Sequence, residues 1–169
     1  MTTPQQGRIF ISYRRADSKF AAGRIYDRLA AHFGEEAIFM DVEAIDAGLD
    51  FVKVLEDAVQ SCDVLVALIG RQWLHLKDER GKRRLDNPED FVRIEIAAAL
   101  NRDIRVIPAL VDGTDMPRST ELPENLKPLA RRNALQVNHR SFNADANRLV
   151  AHLESALKAA EESKIIKSP

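Results

Sequence analysis

The sequence predicts an α/β protein, a doubly wound sheet of five parallel strands in the order 2-1-3-4-5 with helices on both faces. Three observations predict it. Short apolar runs suited to strands alternate with helical stripes five times along the 169 residues. One run, VLVALI at 64–69, is apolar without a break, as strands covered on both faces are. Right-handed crossovers then leave 2-1-3-4-5 as the common order for five such units.

Residues 8–13, RIFISY, form the first strand. Over 18–33, Ala22, Tyr26, Leu29 and Phe33 recur at helical spacing, and Gly34 closes that helix. A second strand at 37–40 runs up to Asp41, followed by a loop over 42–48 that holds Asp46 and Gly48. In 51–62, Phe51, Val54, Leu55, Ala58 and Val59 share a helical stripe. The third strand, 64–69, stops at Gly70. Next comes the longest irregular stretch, 71–86, which holds Trp73, the only tryptophan, and seven charged residues at 77–84 around Gly81. Such a charge run is expected to be a solvated, mobile loop, with a lid over a site as the sharper alternative.

The following helix has a firm predicted start. Asn87 suits the N-cap, Pro88 the first helical position, and Glu89 and Asp90 the positive end of the helix dipole; the helix runs to Asn101. A fourth strand occupies 104–111, where Pro108 points to an edge position, a bulge or a strand end. Loop 112–123, a short helix at 124–131, a weak fifth strand at 133–137 and a last helix at 144–162 complete the chain. That last helix packs through Leu149, Val150, Leu153 and Leu157. The expected organisation is a flexible start at 1–7, one domain at 8–162 and a frayed tail at 163–169.

Composition narrows the partners. With 25 basic and 26 acidic residues, a net charge of −1 argues against nucleic acid. No run approaches the roughly 18 apolar residues of a bilayer span, and the first residues have no signal-like apolar region, so no membrane partner is expected. Cys62 is the only cysteine, which excludes a disulfide framework and points to a reducing, cytoplasmic compartment.

One residue breaks the apolar pattern of the helix after strand three. Phe91, Glu95 and Ala98 share a face, so Glu95 lies among apolar neighbours. A carboxylate there needs a cation or a ligand, because burial without partners costs several kcal/mol or raises its pKa. The predicted topology supplies a neighbourhood. The ligand crevice of a 2-1-3-4-5 sheet lies beyond the carboxyl ends of strands one and three. Here Ser12, Tyr13, Arg14 and Arg15 wall one side and Gly70, Arg71 and Trp73 the other, with the Glu95 helix at the same end.

Several chemistries fail at this crevice. A phosphoacceptor site needs acids after strand one and an aspartate ending strand three, where this chain has Arg14, Arg15, Ile69 and Gly70. SYRRADS carries neither a dinucleotide-binding glycine fingerprint nor a P-loop. The four histidines, 32, 75, 139 and 152, have no metal-ligand spacing, so no metal is assigned. Ser12 lies outside any GxSxG elbow. Arg14 and Arg15 remain, able to fork onto phosphate oxygens or to pair with Asp17 and Glu95. A substrate with phosphates and a cationic centre would satisfy both the arginines and Glu95.

At this point the motifs carry a family likeness. FISYRRAD at 10–17, IFMDVEAIDAG at 38–48 and DFVRIEIAAAL at 90–100 resemble TIR (Toll/interleukin-1 receptor) domains, bacterial and NAD-cleaving members especially. The resemblance is close over residues 8–112 and looser beyond. It implies a flavodoxin-like fold and one of two functions. The first is cleavage of NAD+ at its nicotinamide glycosidic bond, giving nicotinamide plus ADP-ribose or a cyclic isomer, in signalling or defence. The second is non-catalytic TIR-to-TIR association. The resemblance makes Glu95 the catalytic carboxylate. It puts Phe91 where many catalytic members carry tryptophan, keeping an aromatic surface without the indole donor. Phe10, Ser12, Tyr13, Arg14 and Arg15 become lining residues of the NAD pocket, with Asp41, Gly48 and Trp73 in the same substrate-binding set. Loop 42–48 resembles one that swings between covering the site and touching a neighbouring subunit. No cofactor is implied, since NAD+ enters as substrate; the implied partners are NAD+ and further TIR domains, including copies of this one.

Overall fold

A computed structural model describes residues 7–40 and 45–167. Among them, β1 (Ile9–Ser12), β2 (Ile38–Met40), β3 (Val64–Ile69), β4 (Arg105–Val111) and β5 (Leu135–Val137) form one sheet. Every neighbouring pair is parallel, in the order β2-β1-β3-β4-β5. The predicted fold class and strand order are therefore observed. Helices α1 (Arg15–Phe33), α2 (Phe51–Gln60), α3 (Phe91–Asn101) and α4 (Phe142–Lys167) flank the sheet.

Alternation along the strands divides the core in two. Ile9, Ile11, Val64, Val66 and Leu68 pack with residues of α1 and α4 on one face. Phe10, Leu65, Ala67 and Ile69 pack with residues of α2 and α3 on the other. This explains the unbroken apolar run of β3, which is buried throughout. Burial also pushes the Cys62 thiol up to about 11, so it behaves as a small core hydrophobe. No described helix is long and apolar enough to cross a membrane.

The structure departs from the sequence expectation at several places. Helix α3 starts at Phe91 with Asp90 as N-cap, its carboxylate accepting from Arg93 N–H at 3.0 Å, and not at the predicted Asn87–Pro88 start. Asn87 instead accepts from Glu89 N–H at 3.0 Å in a turn preceding the helix. Pro108 sits in β4 between β3 and β5, but β5 pairs only with Ala109–Val111, so the β4 edge beside it is locally open. The 124–131 helix is a 3₁₀ helix. Helix α4 continues to Lys167 through most of the expected frayed tail, and Lys164 reaches Asp63 at 2.6 Å.

The charged stretch is a small hairpin. Lys77 and Arg83 form an antiparallel bridge, and Asp78 Oδ1 accepts from Arg80 and Lys82 N–H at 2.8 and 3.0 Å. Gly81 turns the chain at φ +78°. Arg83 forks onto Asp86 at 3.1 and 2.6 Å and holds that carboxyl below the usual range. Leu85, between them in the chain, is fully buried and anchors the hairpin base.

At the opposite face Asp145 ties α4 to β5. Its carboxylate accepts from Asn138 N–H at 2.9 Å and Ser141 Oγ at 2.7 Å, and it pairs with Arg148. These donors, the Asn138 amide foremost, hold its carboxyl below the usual carboxylate range. A carboxylate with a depressed folded pKa stabilises fully above its unfolded value of about 3.9 and loses that contribution as acid carries the pH down through the folded value. Asp145→Ala should cost roughly 2 kcal/mol at neutral pH. Urea titrations should show the gap from wild type narrowing below about pH 4; a constant gap would mean that the ionised form contributes nothing special.

Candidate active site

Strand parity and helix period together build the site. Ser12 has the parity of Phe10, so its side chain faces the α2–α3 side of the sheet. On α3, Val92, Ile96 and Ala99 are buried in the core against the sheet. Glu95, on the adjoining flank, meets β1, where Ser12 Oγ donates to its Oε1 over a long 3.4 Å. Glu95 is 9% exposed, so a carboxylate lies inside the domain edge, as its place in the apolar pattern implied.

Arg14 plays a part that spacing did not disclose. Both of its terminal nitrogens fork onto Asp90, at 2.9 and 2.7 Å, and Arg14 is 4% exposed. Asp90 thus caps α3 and neutralises the arginine at once. Arg14 thus pairs with Asp90, a partner that spacing did not offer. Arg15 is exposed, so the two adjacent arginines are not equivalent.

A crevice of about 390 Å³ opens beside this pair, lined by Tyr13, Arg14, Arg15, Arg84, Asp90 and Phe91 among others. Phe91 is 44% exposed and stacks on Phe51 with ring centroids 5.3 Å apart at 29°. Four of the predicted binding residues, Tyr13, Arg14, Arg15 and Phe91, therefore share one crevice, one helical turn from Glu95. Phe10, Ser12, Gly48 and Trp73 do not line it, and neither does Glu95 itself. Phe10 and Trp73 are fully buried core side chains, so their expected placement on the pocket wall is corrected. Trp73 N–H bonds back to the Gly70 carbonyl at 3.2 Å, a tight turn at the end of β3, and the indole goes into the core. Gly48 is exposed at φ +88°, and Asp41 lies outside the described residues.

Sequence reasoning missed the role of Asp17, which it had named only as a partner for the arginines. Its carboxylate accepts from Gly70 N–H at 2.9 Å and Gln72 N–H at 2.7 Å, stitching the β1–α1 loop to the end of β3. A Cβ at Gly70 would fall 2.5 Å from the Asp17 oxygen, which accounts for the glycine there. Asp17→Ala should cost about 1.5–3 kcal/mol, the scale of hydrogen bonds to a charged acceptor. A shift in the urea midpoint with no change in slope checks this.

A parallel 2-1-3-4-5 sheet with an arginine-bearing loop after β1 and a buried glutamate on the helix after β3 defines the class. The chain belongs to the TIR domain family, whose profile matches residues 9–150. Among characterised proteins it is similar to the NAD(+) hydrolase sarm1 of Drosophila melanogaster, with 29% identity over 133 residues, covering 78% of this chain and 9% of that protein. It is also similar to the NAD(+) hydrolase SARM1 of Danio rerio, with 23% identity over 151 residues, covering 89% and 20%. The chain thus spans a fifth or less of these relatives' length. Among solved structures, the TIR domains of the activated Roq1 resistosome recognizing the effector XopQ align with TM-score 0.56 at 12% identity, covering 88% of this chain and 98% of that one. A metazoan TIR-STING receptor from C. gigas in complex with 2′,3′-cGAMP aligns with TM-score 0.54 at 15% identity, covering 87% and 40%. At those identities the structural likeness is one of fold.

Proposed function

We propose that this TIR domain hydrolyses NAD+ at the bond between nicotinamide and ribose, with Glu95 as the catalytic carboxylate. One observation carries the reading: a buried glutamate on α3, held beside the end of β1, lies one helical turn from Phe91, an exposed ring that lines a crevice together with an exposed arginine. The similarity to two NAD(+) hydrolases supports it.

The chemistry suits a single carboxylate. Nicotinamide departs from a cationic pyridinium with the C1′–N electron pair and leaves as a neutral base, so no acid is needed to protonate it. Positive charge shifts onto the ribose, where an ionised Glu95 stabilises it and accepts hydrogen bonds from the ribose hydroxyls. Water then adds at C1′ and releases a proton, giving ADP-ribose; attack by the adenine of the same molecule gives a cyclic isomer. Arg15 orients the pyrophosphate, supplying part of the rate through positioning.

Exposed Phe20 and Leu49 favour a second reading, an interaction domain acting by TIR-to-TIR association without turnover. Incubation with NAD+ over a rising protein concentration separates the two. The hydrolase releases nicotinamide, detected by chromatography, with a rate that grows at least in proportion to protein. Silence at concentrations where scattering shows self-association supports the interaction domain.

A further inference from the structure

We infer that Arg84, from the charged hairpin, is the second phosphate-binding cation of this site, in the role that the sequence pattern offered to Arg14. The inference deepens the NAD+ reading and rests on it. Arg14 is committed elsewhere, since both of its terminal nitrogens are bonded to Asp90 at 2.9 and 2.7 Å. Withdrawing it to meet a ligand would leave the Asp90 charge uncompensated at a site where both side chains are largely buried.

Arg84 is in the opposite situation. Its backbone is fixed, because its N–H donates to the Leu76 carbonyl at 2.9 Å at the base of the hairpin and the neighbouring Leu85 is fully buried. Its side chain is exposed, and its guanidinium has no hydrogen bond or ion pair among the described residues. Yet it lines the same crevice as Arg15 and Phe91. The acids nearby do not claim it. Asp78 accepts from the backbone of its own turn, Asp90 is held by Arg14, and Glu89 is solvent-exposed.

Two guanidinium groups from separate elements, Arg15 after β1 and Arg84 from the hairpin, thus converge on one crevice. A pyrophosphate carries two negative charges and presents forked oxygens that match two guanidinium planes. Phe91, which lines the crevice, precedes Glu95 by four residues of α3, about 6 Å along the axis. That spacing is comparable to a ribose with its 5′ carbon, so phosphates near Arg84 are compatible with the reacting C1′ near Glu95. The ligand class is a nucleoside diphosphate ester, recognised through its pyrophosphate.

The test uses the full chain with Arg84→Gln and Arg84→Lys, ADP-ribose and adenosine as binding probes in calorimetry, and NAD+ as substrate. Arg84→Gln should weaken ADP-ribose binding and raise KM for NAD+ by about 10-fold or more, with kcat and Tm little changed. Adenosine affinity should be unaffected, Arg84→Lys should be intermediate, and the difference between wild type and Arg84→Gln should shrink as salt rises. Equal ADP-ribose affinity in wild type and Arg84→Gln overturns the assignment whether or not NAD+ is cleaved, as does a wild type with no measurable ADP-ribose affinity. Arg84-dependent ADP-ribose binding without nicotinamide release sustains the assignment and overturns the hydrolase reading alone.

Discussion

Under the proposed hydrolase reading, Glu95→Gln should lower NAD+ turnover by at least about 10²-fold, the scale on which loss of one preorganised electrostatic group acts. The change is nearly isosteric. Glutamine keeps an oxygen able to accept from Ser12 Oγ, which lies 3.4 Å from Glu95 Oε1, and fills nearly the same volume. It loses the negative charge that would stabilise the cationic ribose. Tm should therefore stay within a few degrees of wild type, and affinity for ADP-ribose should persist, because the groups proposed to hold its phosphates are untouched. Thermal denaturation and calorimetry on the same preparation check both. A variant that turns over normally shows the carboxylate to be structural, and one that fails to fold is replaced by Glu95→Asp, which keeps the charge but withdraws it by one methylene.

The largest effect on stability is expected at Arg14. This residue and Asp90 have side chains 3% and 10% exposed, and they join the β1–α1 loop to the first turn of α3. Removing one member leaves the other as an uncompensated buried charge, at a cost of about 3–5 kcal/mol for Arg14→Ala. Asp90→Asn retains an acceptor for the Arg93 N–H, whereas Asp90→Ala loses that cap as well and should be worse by about 1 kcal/mol. Combining Arg14→Met with Asp90→Asn should recover part of the loss, so that the two changes are clearly non-additive in a denaturant cycle. If Arg14 were a phosphate ligand in the resting protein, its removal would raise KM and leave the denaturation midpoint alone. The same brace sets where α3 begins and hence the height at which Glu95 meets Ser12, so its loss should also depress turnover.

How much of this was legible in the sequence follows from which forces are local. The alternation of elements, and β3 to the residue, came from apolar patterning, which periodicity reports directly, and the strand order followed from the common right-handed arrangement of five such units. Glu95 stood out because a single carboxylate interrupts an apolar helix. The start of α3 was misread because Asn87 and Asp90 are both good caps by local chemistry, and the choice is made by a contact 76 residues away, with Arg14. Trp73 was misplaced for a related reason. Its position after β3 put it near the crevice, but chain position does not give side-chain direction, and the turn at Gly70 sends the indole inward. Arg84 was invisible among seven charges in eight residues, since composition does not distinguish a solvated arginine from one that a hairpin presents to a crevice. Asp17 was equally hidden, its partners being backbone amides that carry no sequence signal.

Nicotinamide release from NAD+ by wild type and Glu95→Gln, at equal concentration and with matched thermal denaturation, tests the central claim most directly. Release by wild type that grows with time and is lost in the folded variant is the predicted result. Equal release by the two proteins, or none from wild type even when it is concentrated into assemblies, would contradict the assignment of Glu95 as the catalytic carboxylate of an NAD+-cleaving TIR domain.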